Sequence, residues 1–149
     1  MKKILIVDDN AAVLEALSLL LEIHGYQVVT ASTPKEAVQI VNYQAISLVL
    51  QDMNFSADTT SGEEGKTLFF ALRELNPLLP IILITAWTEL EHAVALVKAG
   101  AADYIPKPWD DVKLITTVNN LIALGEASAT HQSVKQQSTL YDSAKQAAR

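Results

Sequence analysis

An apolar run that ends in a carboxylate lies near the middle of the chain: Ile46-Ser47-Leu48-Val49-Leu50-Gln51-Asp52. The run is short and continuous, which is typical of a strand covered on both faces of a sheet. A carboxylate at the end of a buried strand is costly unless it has a partner, a metal or access to solvent. We therefore predict that Asp52 is the working residue of this protein.

Apolar runs of the same kind recur along the chain and alternate with helical patterns. The predicted strands cover residues 4–7, 27–31, 46–51, 80–85 and 103–106. Apolar residues at helical spacing predict helices over residues 11–24, from 34 to about 43, between Ser61 and Pro77, between Thr88 and Gly100, and over 112–124. Five strands alternating with five helices are typical of a doubly wound parallel α/β sheet with helices on both faces.

Capping signals support the helix starts independently of the periodicity. Asn10 is a predicted N-cap, and Gly25 is the predicted residue just past the end of the first helix. Capping boxes begin at Thr33, Ser61 and Thr88. On the third helix, the residues predicted to face inward are Leu68, Leu72 and Leu75.

Composition and charge narrow the classes of function. The 149 residues include no cysteine, so disulfides and thiolate metal sites are excluded. The formal net charge is −6, with −7 in residues 1–124 and +1 in residues 125–149. The body of the chain therefore repels nucleic acid, and a DNA role would have to come from another domain. No stretch has the roughly 18 apolar residues of a membrane span, so we expect a soluble, cytoplasmic protein.

The composition changes after the last predicted helix. Residues 1–124 form one predicted domain of ordinary size. From residue 127 the chain is rich in Ser, Thr, Gln, Ala and Lys, with few large apolar residues. We predict that residues 125–149 are a linker, either helical or disordered.

Four polar residues besides Asp52 fall at the carboxyl ends of predicted strands: Asp8, Asp9, Thr85 and Lys107. Ligands of open parallel sheets bind at this edge, where the strand order reverses, so we expect these side chains around one crevice. Three carboxylates in a small site repel one another unless a divalent cation compensates, and oxygen ligands favour a hard ion such as Mg²⁺. A carboxylate nucleophile, a hard metal, an ammonium and a hydroxyl together predict phosphoryl transfer.

These residues also resemble a known family. Val7-Asp8-Asp9-Asn10, Asp52 after an apolar strand, Thr85-Ala86 and Lys107-Pro108 look like the receiver domain of two-component response regulators, and the resemblance covers residues 2–124. It implies a flavodoxin-like (CheY-like) three-layer sandwich and a phosphorylation-controlled signalling switch. It also implies a phosphoacceptor that takes part in its own phosphoryl transfer and dephosphorylation, rather than an enzyme in the usual sense.

The resemblance implies a role for each matching residue. Asp52 would accept a phosphoryl group from a histidine of a sensor kinase. Asp8 and Asp9 would hold Mg²⁺, together with Asp52 and the backbone carbonyl of Asn54.

Three further positions match the family on the last two strands. Thr85 and Lys107 would contact the phosphoryl oxygens. Tyr104 would be the aromatic switch, whose ring turns inward as Thr85 moves toward the phosphate. The peptide bond between Lys107 and Pro108 is commonly cis in this family.

One segment departs from the family pattern. From Met53 to Gly62 the chain is longer than usual and lacks the proline and the aspartate-glycine pair that commonly follow the phosphoacceptor. The longer segment and the linker-like tail resemble receivers of NtrC-type, sigma-54-dependent transcriptional activators. That resemblance implies control of transcription through altered self-association, with DNA bound by a C-terminal domain outside this chain. We expect a homodimer formed through the fourth helix, the fifth strand and the fifth helix.

Other functions share parts of this pattern. Phosphatases of the haloacid-dehalogenase type place an aspartate nucleophile after the first strand and a second aspartate two residues later, but residue 10 here is Asn10. A flavin carrier would need a Ser/Thr-rich phosphate-binding loop after the first strand, which is absent. A pseudo-receiver that binds partners without phosphorylation remains the main alternative, although the intact acidic set argues against it.

Overall fold

Five strands of the described residues form one sheet, and all of them are parallel. The structure is a computed structural model and describes residues 2–53 and 63–126. The strands are β1 Lys3–Val7, β2 Gln27–Ala31, β3 Leu48–Asp52, β4 Ile81–Ala86 and β5 Asp103–Lys107. They lie in the order β2-β1-β3-β4-β5. The predicted five-stranded parallel sheet is confirmed.

Five α-helices within the described residues cover the two faces of the sheet. They are α1 Ala11–Ile23, α2 Pro34–Tyr43, α3 Glu63–Leu75, α4 Leu90–Lys98 and α5, residues 111–126. Helices α2, α3 and α4 enclose a first core on one face, and α1 and α5 enclose a second core on the other. The predicted three-layer sandwich is therefore confirmed. Of the predicted linker, residues 125–149, the first two belong to α5 and the others lie outside the described residues. The domain boundary at residue 124 stays a prediction.

Successive side chains of the central strands enter opposite cores. In β1, Leu5 and Val7 belong to the first core, whereas Ile4 and Ile6 belong to the second. All four side chains are fully buried, and burying each contributes about 1.5–3 kcal/mol relative to leaving it exposed. This two-sided burial explains why the apolar runs are continuous rather than alternating.

The helix starts confirm two of the capping predictions and contradict one. The Asn10 side chain accepts the N–H groups of residues 12 and 13 at the start of α1, and Gly25 follows the helix with φ +91°. Thr33 accepts the Glu36 N–H at the start of α2. The prediction for Thr88 is wrong, because the chain leaves β4 through a 3₁₀ turn, Trp87–Glu89, and α4 starts after it without a side-chain cap. The box at residues 61 and 62 lies outside the described residues.

The buried face of α3 differs from the predicted one at its end. Leu68 and Leu72 are buried as predicted, but Leu75 is 42% exposed and the fully buried aromatic residue is Phe69. Leu75 is on the same stripe of the helix, but it is the last helical residue. The spacing of apolar residues shows which face of a helix is buried, but it does not show how far along the helix the burial extends.

Arg73 connects the end of α3 to the loop before β5. Its guanidinium donates to the backbone carbonyls of Pro77, Leu79 and Gly100, and it lies over the ring of Phe69 at 5.4 Å. Gly100 itself has φ +122°, a conformation that favours glycine. The hydrogen bond to Gly100 joins residues that are 27 positions apart in the sequence, and no sequence pattern predicts it.

The described part of the chain contains no helix that is both long enough and apolar enough to span a membrane. The cytoplasmic location stays a prediction.

Candidate functional site

The candidate site lies at the carboxyl ends of β1 and β3, where the strand order reverses. The chain runs from β1 outward to β2 and then returns to the other side of β1 to form β3. Val7 pairs with Gln51, so Asp8 and Asp52 follow at the same level on neighbouring strands. Ligand sites of open α/β sheets form in the crevice at such a point.

Three carboxylates meet in this crevice. Oxygen atoms of Asp8, Asp9 and Asp52 lie within 4.8 Å of one another. Asp8 and Asp52 are each 1% exposed, whereas Asp9 is exposed. The turn after β1 supports this arrangement, because the Asn10 N–H donates to Oδ1 of Asp8 at 2.9 Å while its side chain caps α1. The structure therefore brings together the three acidic residues that the sequence singled out.

Lys107 provides the counter-charge. Its Nζ donates to Oδ2 of Asp8 at 3.2 Å and to Oδ1 of Asp52 at 3.1 Å. Burial by itself lowers the pKa of Lys107, but the carboxylates of Asp52 and Asp8 raise it more, so the pKa lies above its ordinary value of 10.5. The side chain is therefore a full positive charge at neutral pH. The bond from Lys107 to Pro108 is cis, as the family resemblance implied.

The charge and the ligand atoms of the site suit a divalent cation. Three ionised carboxylates and one ammonium have a formal charge of −2. Carboxylate oxygens are the ligands that hard ions prefer, and Mg²⁺ commonly binds through one or two carboxylates with water completing its shell. Asp8, Asp9 and Asp52 therefore fit Mg²⁺. Asn54, whose backbone carbonyl is the remaining predicted ligand, lies outside the described residues.

Thr85 and Tyr104 lie on the strands next to the acidic crevice. Thr85 is fully buried on β4, one residue past Ile84, which pairs with Asp52. Its hydroxyl donates to the backbone oxygens of Ala86 and Glu89 at 3.4 and 3.5 Å, distances at which a hydrogen bond is weak. Tyr104 is half-buried on β5 and packs against the first core. The structure thus places Thr85 beside the crevice with its hydroxyl directed toward the 3₁₀ turn.

Sequence reasoning missed two residues immediately behind the site. Gln51 is fully buried, and its Nε2 donates to the backbone oxygen of Gly65 at 2.6 Å. A polar residue among the apolar residues of a strand, and a glycine in the first turn of a helix, were the available signals. The contact between them became visible only in the folded chain.

Comparison with known proteins identifies the family. The sequence profile described as the response regulator receiver domain matches residues 4–119. The chain belongs to this family, and the resemblance inferred from its motifs is confirmed.

Similar proteins extend well beyond the length of this chain. Response regulator protein FleR of Pseudomonas aeruginosa is 34% identical over 116 residues, which are 78% of this chain and 24% of that protein. Transcriptional regulatory protein ZraR of Escherichia coli is 33% identical over 120 residues, which are 80% of this chain and 26% of that protein. The chain therefore spans about a quarter of the length of these curated relatives.

A solved structure is matched by this chain over nearly the whole length of the solved structure. It is the N-terminal signal receiver domain of a two-component system response regulator from Bacteroides fragilis, with 35% identity and a TM-score of 0.74. The match covers 82% of this chain and 97% of that one. Its shape and extent agree with the receiver fold described above.

Proposed function

We propose that this chain is the phosphorylation-controlled switch of a two-component system and that Asp52 accepts a phosphoryl group from a histidine of a sensor kinase. One observation carries the proposal: the buried Asp52 carboxylate lies with oxygens of Asp8 and Asp9 within 4.8 Å and the Lys107 ammonium 3.1 Å away. Phosphoryl transfer to a carboxylate uses such a combination of nucleophile, metal-binding oxygens and positive charge. Membership of the receiver family supports the same function.

In the proposed transfer, an oxygen of Asp52 attacks the phosphorus of the phosphohistidine. The new P–O bond forms as the P–N bond breaks, and the electron pair leaves with the histidine nitrogen, which takes up a proton. The ammonium of Lys107 offsets part of the charge of the phosphoryl oxygens. Mg²⁺ held by Asp8, Asp9 and Asp52 would supply further charge neutralisation when bound. Attack of water on the acyl phosphate releases phosphate and restores Asp52.

Intact-mass spectrometry tests this proposal directly. Wild-type protein is incubated with Mg²⁺ and acetyl phosphate, a small phosphodonor, and we expect one phosphoryl adduct that is lost in Asp52→Asn. The matched control is Asp110→Asn, because Asp110 caps the start of α5 through its side chain and asparagine caps equally well. That variant should retain the adduct.

Two outcomes would contradict the proposal. A folded wild-type protein without an adduct across several phosphodonors would favour the pseudo-receiver alternative. An adduct that persists in Asp52→Asn would move the acceptor to another residue.

We further propose that Thr85 and Tyr104 transmit the modification. The hydroxyl of Thr85 makes two long hydrogen bonds to backbone oxygens, at 3.4 and 3.5 Å. A phosphoryl oxygen on Asp52 would be a charged and therefore stronger acceptor, so modification would favour a hydroxyl turned toward the crevice. The half-buried ring of Tyr104 would then turn inward on the neighbouring strand.

The beryllium fluoride mimic of the phosphoryl group tests this coupling. In wild-type protein and in Thr85→Ser, we expect the mimic to change the NMR signals of the Tyr104 ring. In Thr85→Ala this response should be lost, because the hydroxyl is absent. An unchanged ring response in Thr85→Ala would remove Thr85 from the coupling.

We propose that the modified chain associates as a homodimer through the face formed by α4, β5 and α5. The proposal is supported by two exposed apolar side chains at or beside this face, since neighbouring exposed apolar side chains mark partner surfaces where they form a patch: Trp87 is 63% exposed and Val94 of α4 is 38% exposed. Sedimentation should show a shift from monomer to dimer with the mimic, weakened in Trp87→Ser. The control Tyr43→Ser changes a side chain that is 83% exposed on α2, away from this face. A monomer with and without the mimic would refute the dimer.

The output of the switch is inferred from the longer relatives. We infer that residues 1–124 are the receiver, that residues 125–149 are a linker, and that transcription is controlled by NtrC-type, sigma-54-dependent activator domains. The net charge of −6 supports DNA binding by another domain rather than by this chain. An ATPase motif or a helix-turn-helix encoded after Arg149 would support this output. A following sequence that encodes neither would overturn it.

A further inference from the structure

A buried amide directly precedes the proposed phosphoacceptor. Gln51 is 0% exposed in a strand whose other buried side chains, before Asp52, are apolar. Its Nε2 donates to the backbone oxygen of Gly65, in the first turn of α3, at 2.6 Å. Burying an amide among apolar residues is costly unless it is hydrogen-bonded. The amide therefore ties the start of α3 to the strand that carries Asp52.

Gly65 allows the backbones of α3 and the end of β3 to approach closely next to this hydrogen bond. A Cβ atom on this residue would lie 2.7 Å from the backbone oxygen and 2.9 Å from the Cα of Met53. Both neighbours are backbone atoms, so a side chain at position 65 would require α3 or the end of β3 to move. Only glycine fits this contact as it stands.

The end of β3 is held on two sides. On one side it contacts α3, through the Gln51–Gly65 hydrogen bond and the close approach of Gly65 to Met53, and on the other side it is bonded to β4. The Met53 N–H donates to the Ile84 oxygen of β4 at 2.9 Å. The main chain just after Asp52 is therefore fixed between β4 and the first turn of α3. A shift of the first turn of α3 would therefore move Met53, and through the peptide bond between residues 52 and 53 it would also move Asp52.

We infer that Gln51 and Gly65 are positioning residues, which act through the backbone at residues 52 and 53 to hold Asp52 in register with Asp8 and Asp9 for binding a divalent cation. The inference rests on the proposed function of the acidic site. Residues that orient metal ligands typically contribute about tenfold or more to metal affinity. Neither residue touches the cation or the phosphoryl group in this inference.

A substitution of Gln51 distinguishes a positioning role from a merely structural one. Within residues 2–53 and 63–126, Oε1 of Gln51 has no hydrogen-bond partner. Gln51→Met keeps the length of the side chain, removes the donor and also removes this buried acceptor. Loss of the hydrogen bond to Gly65 lowers stability and removal of the unsatisfied acceptor raises it; because the two effects oppose each other, thermal stability should stay close to that of the wild type, whereas Mg²⁺ binding should be weaker.

The experiment is a Mg²⁺ titration followed by amide chemical shifts, combined with thermal unfolding without metal. We expect the Mg²⁺ dissociation constant to rise about tenfold in Gln51→Met and in Gly65→Ala. The matched control is Gly125→Ala in α5, where a Cβ would meet nothing within 4 Å; its dissociation constant should equal that of the wild type. If Gly65→Ala does not fold, Gln51→Met alone decides, because its stability is expected to be retained.

Each result supports or overturns the inference. Weaker Mg²⁺ binding together with stability close to that of the wild type supports it. Dissociation constants within about twofold of the wild type in the folded variants would overturn the positioning role and leave the proposed function intact. A wild-type protein that neither binds Mg²⁺ nor becomes modified on Asp52 would overturn the proposed function, and this inference with it.

Discussion

Replacing Lys107 by methionine tests whether its ammonium offsets the charge of the acidic site. The variant keeps most of the aliphatic stem but removes the charge that contacts Asp8 at 3.2 Å and Asp52 at 3.1 Å. Both carboxylates are buried and would lose their common counter-charge. Hydrogen bonds to charged groups contribute about 1.5–3 kcal/mol each when buried.

The expected loss of stability is smaller than the sum for two such hydrogen bonds, which would be about 3–6 kcal/mol. The Lys107 side chain is 29% exposed, so solvent weakens the pair, and we expect the free energy of unfolding to fall by about 2 kcal/mol in metal-free buffer. For a domain of this size, that corresponds to a fall of about 8 °C in Tm. The affinity for Mg²⁺ should rise, because the cation no longer competes with the ammonium for the same oxygens. Each 1.4 kcal/mol gained in binding free energy lowers the dissociation constant about tenfold.

Thermal unfolding in a chelating buffer and across a series of Mg²⁺ concentrations measures both effects. Lys113→Met is the matched control, since Lys113 is exposed on α5 and surface substitutions usually change stability by less than about 0.5 kcal/mol. Equal Tm values for the two variants without metal would refute the role of Lys107 as counter-charge. An unchanged or higher Mg²⁺ dissociation constant in Lys107→Met would refute the competition.

Three further substitutions test other parts of the fold. Asn10→Ala should lower the free energy of unfolding by about 1 kcal/mol through loss of the α1 cap, whereas Asn10→Ser, which caps without adding a charge, should retain the stability in urea unfolding. Phe69→Ala should lower it by about 3–5 kcal/mol, because the ring is fully buried; a loss below about 1 kcal/mol would contradict that packing. Burial and then the Glu126 carboxylate raise the pKa of Tyr26 above 10.0, so the folded chain keeps this proton longer and stability should fall above about pH 10. Tyr26→Phe should remove that fall above about pH 10, and equal slopes of stability against pH in both proteins would contradict it.

Much of the fold could be predicted because its signals are local. Continuous apolar runs mark strands buried on both faces, and the N-cap at Asn10 uses atoms only a few residues apart. The grouping of Asp8, Asp52 and Lys107 also followed from local information, because residues at the carboxyl ends of parallel strands must meet at one edge. The salt bridges of Lys107 to both carboxylates agree with that expectation.

Local patterns failed where the next element of the fold decided the outcome. Thr88 has the sequence of a capping box, but the chain enters a 3₁₀ turn before α4 begins. Leu75 has the spacing of a buried residue, yet it lies at the end of its helix and is exposed. In both cases the residues fit the local pattern, but the path of the neighbouring chain determines whether the predicted cap or the predicted burial forms.

By itself, the sequence determined the alternation of strands and helices and the chemical groups at the carboxyl edge, since both depend on residue type and order. Only the tertiary structure decided which of these groups touch, with Lys107 between two carboxylates and the hydroxyl of Thr85 turned toward the 3₁₀ turn. It also decided that Gln51 reaches Gly65 behind the site. The physical reason is that hydrogen-bond distances and close backbone approaches depend on how two elements pack together, and packing joins residues that no short stretch of sequence contains.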